Sequence, residues 1–182
     1  PRHLRWAPLP WPDRPPPAAA ALGLAAHDPP RRQSGGRSHG LDVLHDFLGE
    51  RSQQYRGGIS SPLSAPTACS RLSPYLAFGC LSLREIVHAS RFKSATLPAS
   101  ASRHKAGISA FISRLYWHCH FIQKLESEPE LEFRNLHRGY DGMREADWNP
   151  RHFEALSAGR TGWPLVDACV VMLRETGWIN FR

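Results

Sequence analysis

A chain of 182 residues and 20.4 kDa, with 41% apolar and 21% charged side chains, has the size of one domain of roughly 100–200 residues and enough apolar content for a core. This balance excludes wholesale disorder, and the lack of any apolar run of roughly 18–20 residues excludes a membrane-spanning helix. The 23 basic and 16 acidic side chains are unevenly spread, giving a net +4 over 1–40, +6 over 41–125 and −3 over 126–182, which permits contact with a polyanion without requiring it.

The chain begins at Pro1, with none of the basic, then apolar, then small-residue order of a secretory signal, and it reads as a piece of a longer one. Cys69, Cys80, Cys119 and Cys169 form no C-x-x-C pair, so a reducing, cytoplasmic setting is expected. Nine of the sixteen prolines fall in residues 1–30, interleaved with Ala18 to Ala21, which makes 1–36 a linker or extended surface segment. From Ser38, a plausible cap, Leu41, Leu44, Phe47 and Leu48 predict a helix over 39–55. The Gly, Ser and Pro residues of 57–69 predict a loop. Ser73 and Pro74 have the chemistry of a helix cap and first-turn proline, with Gly79 closing a short helix. Ser82 to Glu85 reads as a capping box opening a helix to about Arg91.

The strongest periodicity lies in 103–125, where Ile108, Phe111, Ile112, Leu115, Cys119, Ile122 and Leu125 share one face. Arg114, Trp117, His118 and Phe121 form a second stripe beside it. Residues 126–147 read as an irregular connection. Asn149-Pro150 starts a short helix that Gly159 ends. Pro164 opens the last helix, with Leu165, Cys169, Met172, Leu173 and Thr176 on one face and Gly177 as its stop. No segment alternates at period two, so the fold class is all-α, an irregular multi-helix domain over 37–182.

Trp117-His118-Cys119-His120-Phe121 contains two metal-binding residue types, yet neighbours two apart on a helix point to different faces, so no metal site is expected. Phosphate-loop, G-x-S-x-G and H-E-x-x-H patterns are absent. The segment Cys69 to Pro74 is more informative. Two hydroxyls, a guanidinium and helix N-terminal amides within one turn suit a phosphate or diphosphate, although simple helix capping uses the same residues.

Ser70-Arg71-Leu72-Ser73-Pro74-Tyr75-Leu76-Ala77-Phe78-Gly79, with Leu81 to Glu85, resembles the signature of the flavin domain of the DNA photolyase and cryptochrome family. Gly159-Arg160-Thr161-Gly162-Trp163-Pro164-Leu165-Val166-Asp167-Ala168 resembles that family's second signature, and Thr176 to Asn180 its continuation. Over about 37–182 the resemblance implies part of an all-helical domain that holds FAD, truncated at its C-terminal end. An antenna domain is expected before Pro1 and an aspartate-rich loop, in the other half of the domain, after Arg182. In such a family, light-excited reduced flavin passes an electron to a pyrimidine dimer flipped out of damaged DNA, a carbon–carbon lyase reaction, while cryptochromes use the same pocket for signalling.

The resemblance assigns Tyr55 to the adenine and phosphate side of FAD, and Cys69, Ser70, Arg71, Leu72 and Ser73 to its diphosphate, with Cys69 replacing the usual threonine. Phe111 falls at a flavin-side position and Trp117 at the position that stacks on the lesion. Arg114 stands where repairing members keep a glutamate, His118 where they keep a flavin-contacting arginine, and Phe181 where many have a residue facing flavin N5, a role open to Asn180. These departures leave a second reading, a cryptochrome-like photosensor without repair, and a third, a basic helical nucleic-acid-binding module.

Overall fold

A computed structural model describes residues 17–25 and 28–180, and the expectations for 1–16, Phe181 and Arg182 lie outside them. Among the described residues there are helices, turns and loops and no strand. Ala19–Leu22 is one 3-10 turn, and residues 28–36 follow without helix as a strap over the surface.

Helix α1 spans Arg37–Gly49 and buries Leu44, Phe47 and Leu48. It differs from the expected 39–55 at both ends. Gly36 occupies the N-cap position, so Ser38 is inside the helix and caps nothing. Non-helical Glu50 then breaks it before the 3-10 turn Arg51–Gln54. Tyr55–Gly58 (α2) is one kinked turn, and Ala65–Ala68 (α3) is a helical turn inside the expected loop, with Pro66 supplying the preset φ of a first turn. Ser73–Ala77 (α4) takes Ser73 as its first helical residue rather than its cap; Leu72 holds the cap position with no side-chain bond.

In α5, Leu83–Thr96, the Glu85 amide donates to Ser82 Oγ at 3.1 Å as the capping box requires. The helix runs past Arg91, since Arg91 to Thr96 contain no breaker and Pro98 stops it. The Arg37 guanidinium donates to both carboxylate oxygens of Glu85, at 3.0 and 2.5 Å, and so holds the Glu85 carboxyl below its ordinary range and α1 beside α5.

Helix α6, Ser102–Ser127, is the spine of the fold. Its glycine, Gly107, faces the turn 51–54 so closely that a Cβ there would lie 1.7 Å from the Ser52 carbonyl oxygen. One turn earlier the His104 ring meets the Leu48 carbonyl through Nε2 at 3.0 Å. This approach buries Ile108, Phe111 and Leu115 against Leu44, Phe47, Leu48, Tyr55, Leu72, Tyr75, Leu81 and Ile86, which form the core. The expected apolar face does not stay buried to its end. Ile122 and Leu125 are about half exposed, because the elements that cover α6 are used up by Leu115.

The irregular connection contains 3-10 turns at Pro129–Glu132, Arg138–Tyr140 and Glu145–Asp147. Asn149 Oδ1 accepts from the Arg151 amide to start α7, Pro150–Ser157, as its sequence predicts. The last helix, α8, Pro164–Thr176, ends where Gly177 adopts a φ of +65°, a left-handed position that glycine occupies without strain. Its predicted apolar face is only partly covered, with Leu165 and Leu173 exposed. No residue of α7 or α8 is fully buried. No described helix is long and apolar enough to cross a membrane.

The Gly107 contact yields a stability test. Gly107→Ala should lower the unfolding free energy by at least ~2 kcal/mol, because the methyl group meets backbone that cannot rotate away. Gly35→Ala, where a Cβ meets nothing within 4 Å, should change it by less than ~0.5 kcal/mol. Urea midpoints of the two variants measured in parallel check both.

Candidate anion and aromatic site

The segment after α3 makes a tight turn whose unusual member is Arg71, the only non-glycine among the described residues with positive φ, at 63°. An L-residue in this region costs roughly 1–2 kcal/mol, so surrounding contacts must hold it there. Two of them are distant in sequence. The Arg51 guanidinium donates to the carbonyl oxygens of Thr67 at 3.0 Å and Ser70 at 3.4 Å, and also to that of Cys69, while its Nε pairs with Asp46. From the strap, Gln33 Nε2 donates to the Arg71 carbonyl at 3.0 Å, and Arg71 Nε donates back to Gln33 Oε1 at 3.1 Å. A third contact is the face of Trp178, with the Arg71 guanidinium 4.2 Å above the ring centre.

Arg71 is half-buried, and burial draws its pKa below the ordinary arginine value, with Arg51 nearby acting in the same direction. Among the described residues no carboxylate pairs with it. A partly desolvated guanidinium beside the half-buried Ser70 and the exposed Ser73, without an acidic partner, is a positive centre suited to an anion. Leu72 is different: it is 1% exposed and belongs to the core, so its side chain anchors the turn. Because α4 has only five residues, its dipole adds little, and the side chains carry the site.

Tyr55 connects this turn to α6. Its ring stands edge-on to Phe47 and to Phe111, each with centroids 5.6 Å apart, and the third edge of the triangle, Phe47 to Phe111, is 4.7 Å. Phe111, 3% exposed, is spent in this cluster. Burial pushes the Tyr55 hydroxyl up to about 12, helped by the Cys69 thiol and opposed by Arg114. That hydroxyl therefore has Cys69 and the α6 residue Arg114 within electrostatic reach. Burial likewise raises the Cys69 thiol, against the pull of Arg71 and Arg51.

Further along α6, the Arg114 guanidinium lies 5.9 Å from the ring centre of Trp117. Trp117 is half-exposed and lines a shallow depression with Ser113, Tyr116 and His120. Ser73 lines a different one, of about 530 Å³, with the strap, α4 and Thr176 to Trp178. Tyr55 relates the two regions electrostatically, since its hydroxyl feels both the Cys69 thiol and the Arg114 guanidinium. His118 is half-buried, with Nδ1 fully buried and lacking a hydrogen-bond partner. Asn180 is buried at the end of the described chain. Among these residues no cluster of three metal-ligating side chains occurs.

The second sequence motif is a loop stapled to its own helix. The Thr161 amide and hydroxyl donate to Asp167 Oδ1 at 2.8 and 2.7 Å, and the Gly162 amide donates to Oδ2 at 3.2 Å, which together hold the Asp167 carboxyl below the usual carboxylate range. Sequence reasoning missed Gln33 and Arg51, which act at separations of 38 and 16 to 19 residues with no local pattern to reveal them.

Residues 111–182 match the family described as the FAD binding domain of DNA photolyase. A deoxyribodipyrimidine photo-lyase of Vibrio cholerae is 34% identical over 144 residues, which are 76% of this chain and 28% of that protein. Cryptochrome-1 of Macaca fascicularis is 29% identical over 80% of this chain and 24% of its own length. The crystal structure of a bacterial class III photolyase from Agrobacterium tumefaciens superposes with a TM-score of 0.70 at 29% identity, covering 81% of this chain and 29% of that one. The chain thus spans less than a third of the relatives it matches.

Tyr55 gives the site a measurable pH signature. Below about pH 10 the folded and unfolded states both keep its proton and its burial contributes full stability. As pH rises towards 12 the unfolded chain ionises first, so stability should fall by up to roughly 3 kcal/mol. Tyr55→Phe should remove most of that decline, as read from urea midpoints at pH 8, 10 and 11.5.

Proposed function

From the chain's membership of the DNA photolyase/cryptochrome family, whose cofactor is FAD, we propose that the Ser70–Ser73 turn binds the FAD diphosphate and that the α6 face around Trp117 contacts a damaged base in DNA. The observation that carries this reading is Arg71, half-buried, held in a left-handed conformation and unmatched by any described carboxylate. The residues fit the cofactor. Ser70, Arg71 and Ser73 supply hydroxyl and cationic donors for two phosphates, and the orphaned His118 Nδ1 supplies a polar atom without a partner on the α6 side.

Each residue then has a physical task. Arg71 neutralises phosphate charge. Cys69, in place of a hydroxyl, offers a weaker contact, and its neutral thiol keeps negative charge away from the diphosphate. The Tyr55 hydroxyl, kept protonated by burial, is a neutral dipole within electrostatic reach of Cys69 and Arg114. When bound, FAD supplies light absorption and the transferable electron, while the protein contributes binding, orientation and electrostatics. Trp117 offers an exposed aromatic face on which an unstacked base can lie.

Arg114 beside Trp117 favours reduced repair. A guanidinium donates but does not accept, so a lesion stacked on Trp117 finds a cation where a carboxylate acceptor serves repairing members. The second reading, a light sensor using the same pocket, rests on this substitution and on His118. The four cysteines, all free thiols, support a reducing cytoplasmic setting.

Titration of the chain with FAD, followed by flavin fluorescence, should give Arg71→Ala an affinity at least ~10-fold below wild type, the scale of one charge-assisted hydrogen bond. Trp117→Ala should leave FAD affinity unchanged while weakening binding of a dimer-containing oligonucleotide by ~5–100-fold. Absence of FAD binding by the wild type overturns the proposal. Illumination of the reduced, FAD-loaded full-length protein, with the antenna domain and the aspartate-rich half expected above, should give slow or no splitting of that oligonucleotide's dimer; efficient splitting overturns the reduced-repair reading while leaving the site assignment standing.

A further inference from the structure

We infer that Gln33, which follows Pro29 and Pro30 in the strap ahead of α1, is a positioning residue that sets both the backbone and the guanidinium of Arg71 for a diphosphate. This inference rests on the FAD reading above. Between residues 31 and 39 every side chain is exposed except that of Gln33, which is half-buried and turned towards the Ser70–Ser73 turn. Its amide makes two bonds to the same residue: the NH2 donates to the Arg71 carbonyl and the oxygen accepts from Arg71 Nε. The first bond restrains the peptide that follows the left-handed residue, and the second restrains the side chain.

This pairing suits an anion site for a reason of charge. An amide is neutral, so it orients the guanidinium without cancelling its charge, and by engaging Nε it leaves the two Nη groups to face a ligand. Trp178 supports the cation from its face in the same non-neutralising way. The strap itself is anchored on both sides of Gln33. Tyr75 Oη donates to the Ser34 carbonyl at 2.8 Å, and the Arg31 amide donates to the Glu175 carbonyl at 2.8 Å. Gln33 is therefore presented from a fixed backbone, joining the end of α8 to the start of α4.

A glutamate at this position is almost isosteric, yet it would pair with Arg71 and neutralise it, and it has no hydrogen for the Arg71 carbonyl. The test compares wild type, Gln33→Ala and Gln33→Glu in the full chain by equilibrium titration with FAD and with riboflavin, which lacks the phosphates. Thermal melts of each variant accompany the titrations. Gln33→Ala should weaken FAD about 10-fold and Gln33→Glu at least as much, although Gln33→Glu should melt at or above the temperature of Gln33→Ala. Riboflavin affinity should be unmoved in both. Equal FAD affinity in all three proteins, or parallel losses for FAD and riboflavin, overturns the positioning role while leaving FAD binding intact. A wild type that binds neither ligand overturns the FAD reading and this inference with it.

Discussion

The contact on which the rest of the structure depends is the approach of α6 to the 51–54 turn at Gly107, where helix and carbonyl backbone touch without a side chain between them. At this distance, Phe111 one turn on reaches the ring of Tyr55, and Arg114 another turn on comes within electrostatic reach of its hydroxyl. A wider spacing would leave the aromatic triangle open and separate the two halves of the site. The side chain missing from one position thus aligns several others, as expected when densely packed elements admit no slack.

On the other side of the core, the Ser70–Ser73 turn is shaped by polar contacts made from far away. Arg51 gathers carbonyls from the approach to the turn, and Gln33 holds Arg71 within it. Each hydrogen bond is worth about 1 kcal/mol net, comparable to the strain of one left-handed arginine, so the set offsets that strain and leaves the turn well defined. The cation without an acidic partner is the feature such an arrangement leaves available for chemistry.

Much of the architecture was legible in the sequence because its signals are local. The α6 periodicity, the Ser82 to Glu85 box, the Asn149 cap and the Gly177 stop each act within one or two turns and appear where expected. Misplaced boundaries fall where tertiary contact overrides local preference. The helix expected over 39–55 breaks at Glu50 so that the 51–54 turn can meet α6, and the periodic face of α6 outlasts the elements that cover it. Of the candidate residues, Ser70 to Ser73 were legible as a motif and Trp117 through the family resemblance. Their relation through Tyr55 and Arg114 was not, because spacing along a chain carries no information about which half-buried polar groups face each other. The Gln33 contact was hidden for the same reason, within a segment whose prolines read as a linker or extended surface segment.

The last two helices, with no fully buried residue, are tied to the remainder of the molecule largely through the strap and the Arg71–Trp178 stack. Cooperativity in a folded chain follows the density of buried contacts, and here that density drops sharply beyond α6. The α7–α8 pair should therefore have low local stability, its amides exchanging with solvent through partial opening before those of α1 and the first half of α6. An anion held between Arg71 and the turn would slow that partial opening through Trp178, so occupancy at one end of the fold would register as protection at the other.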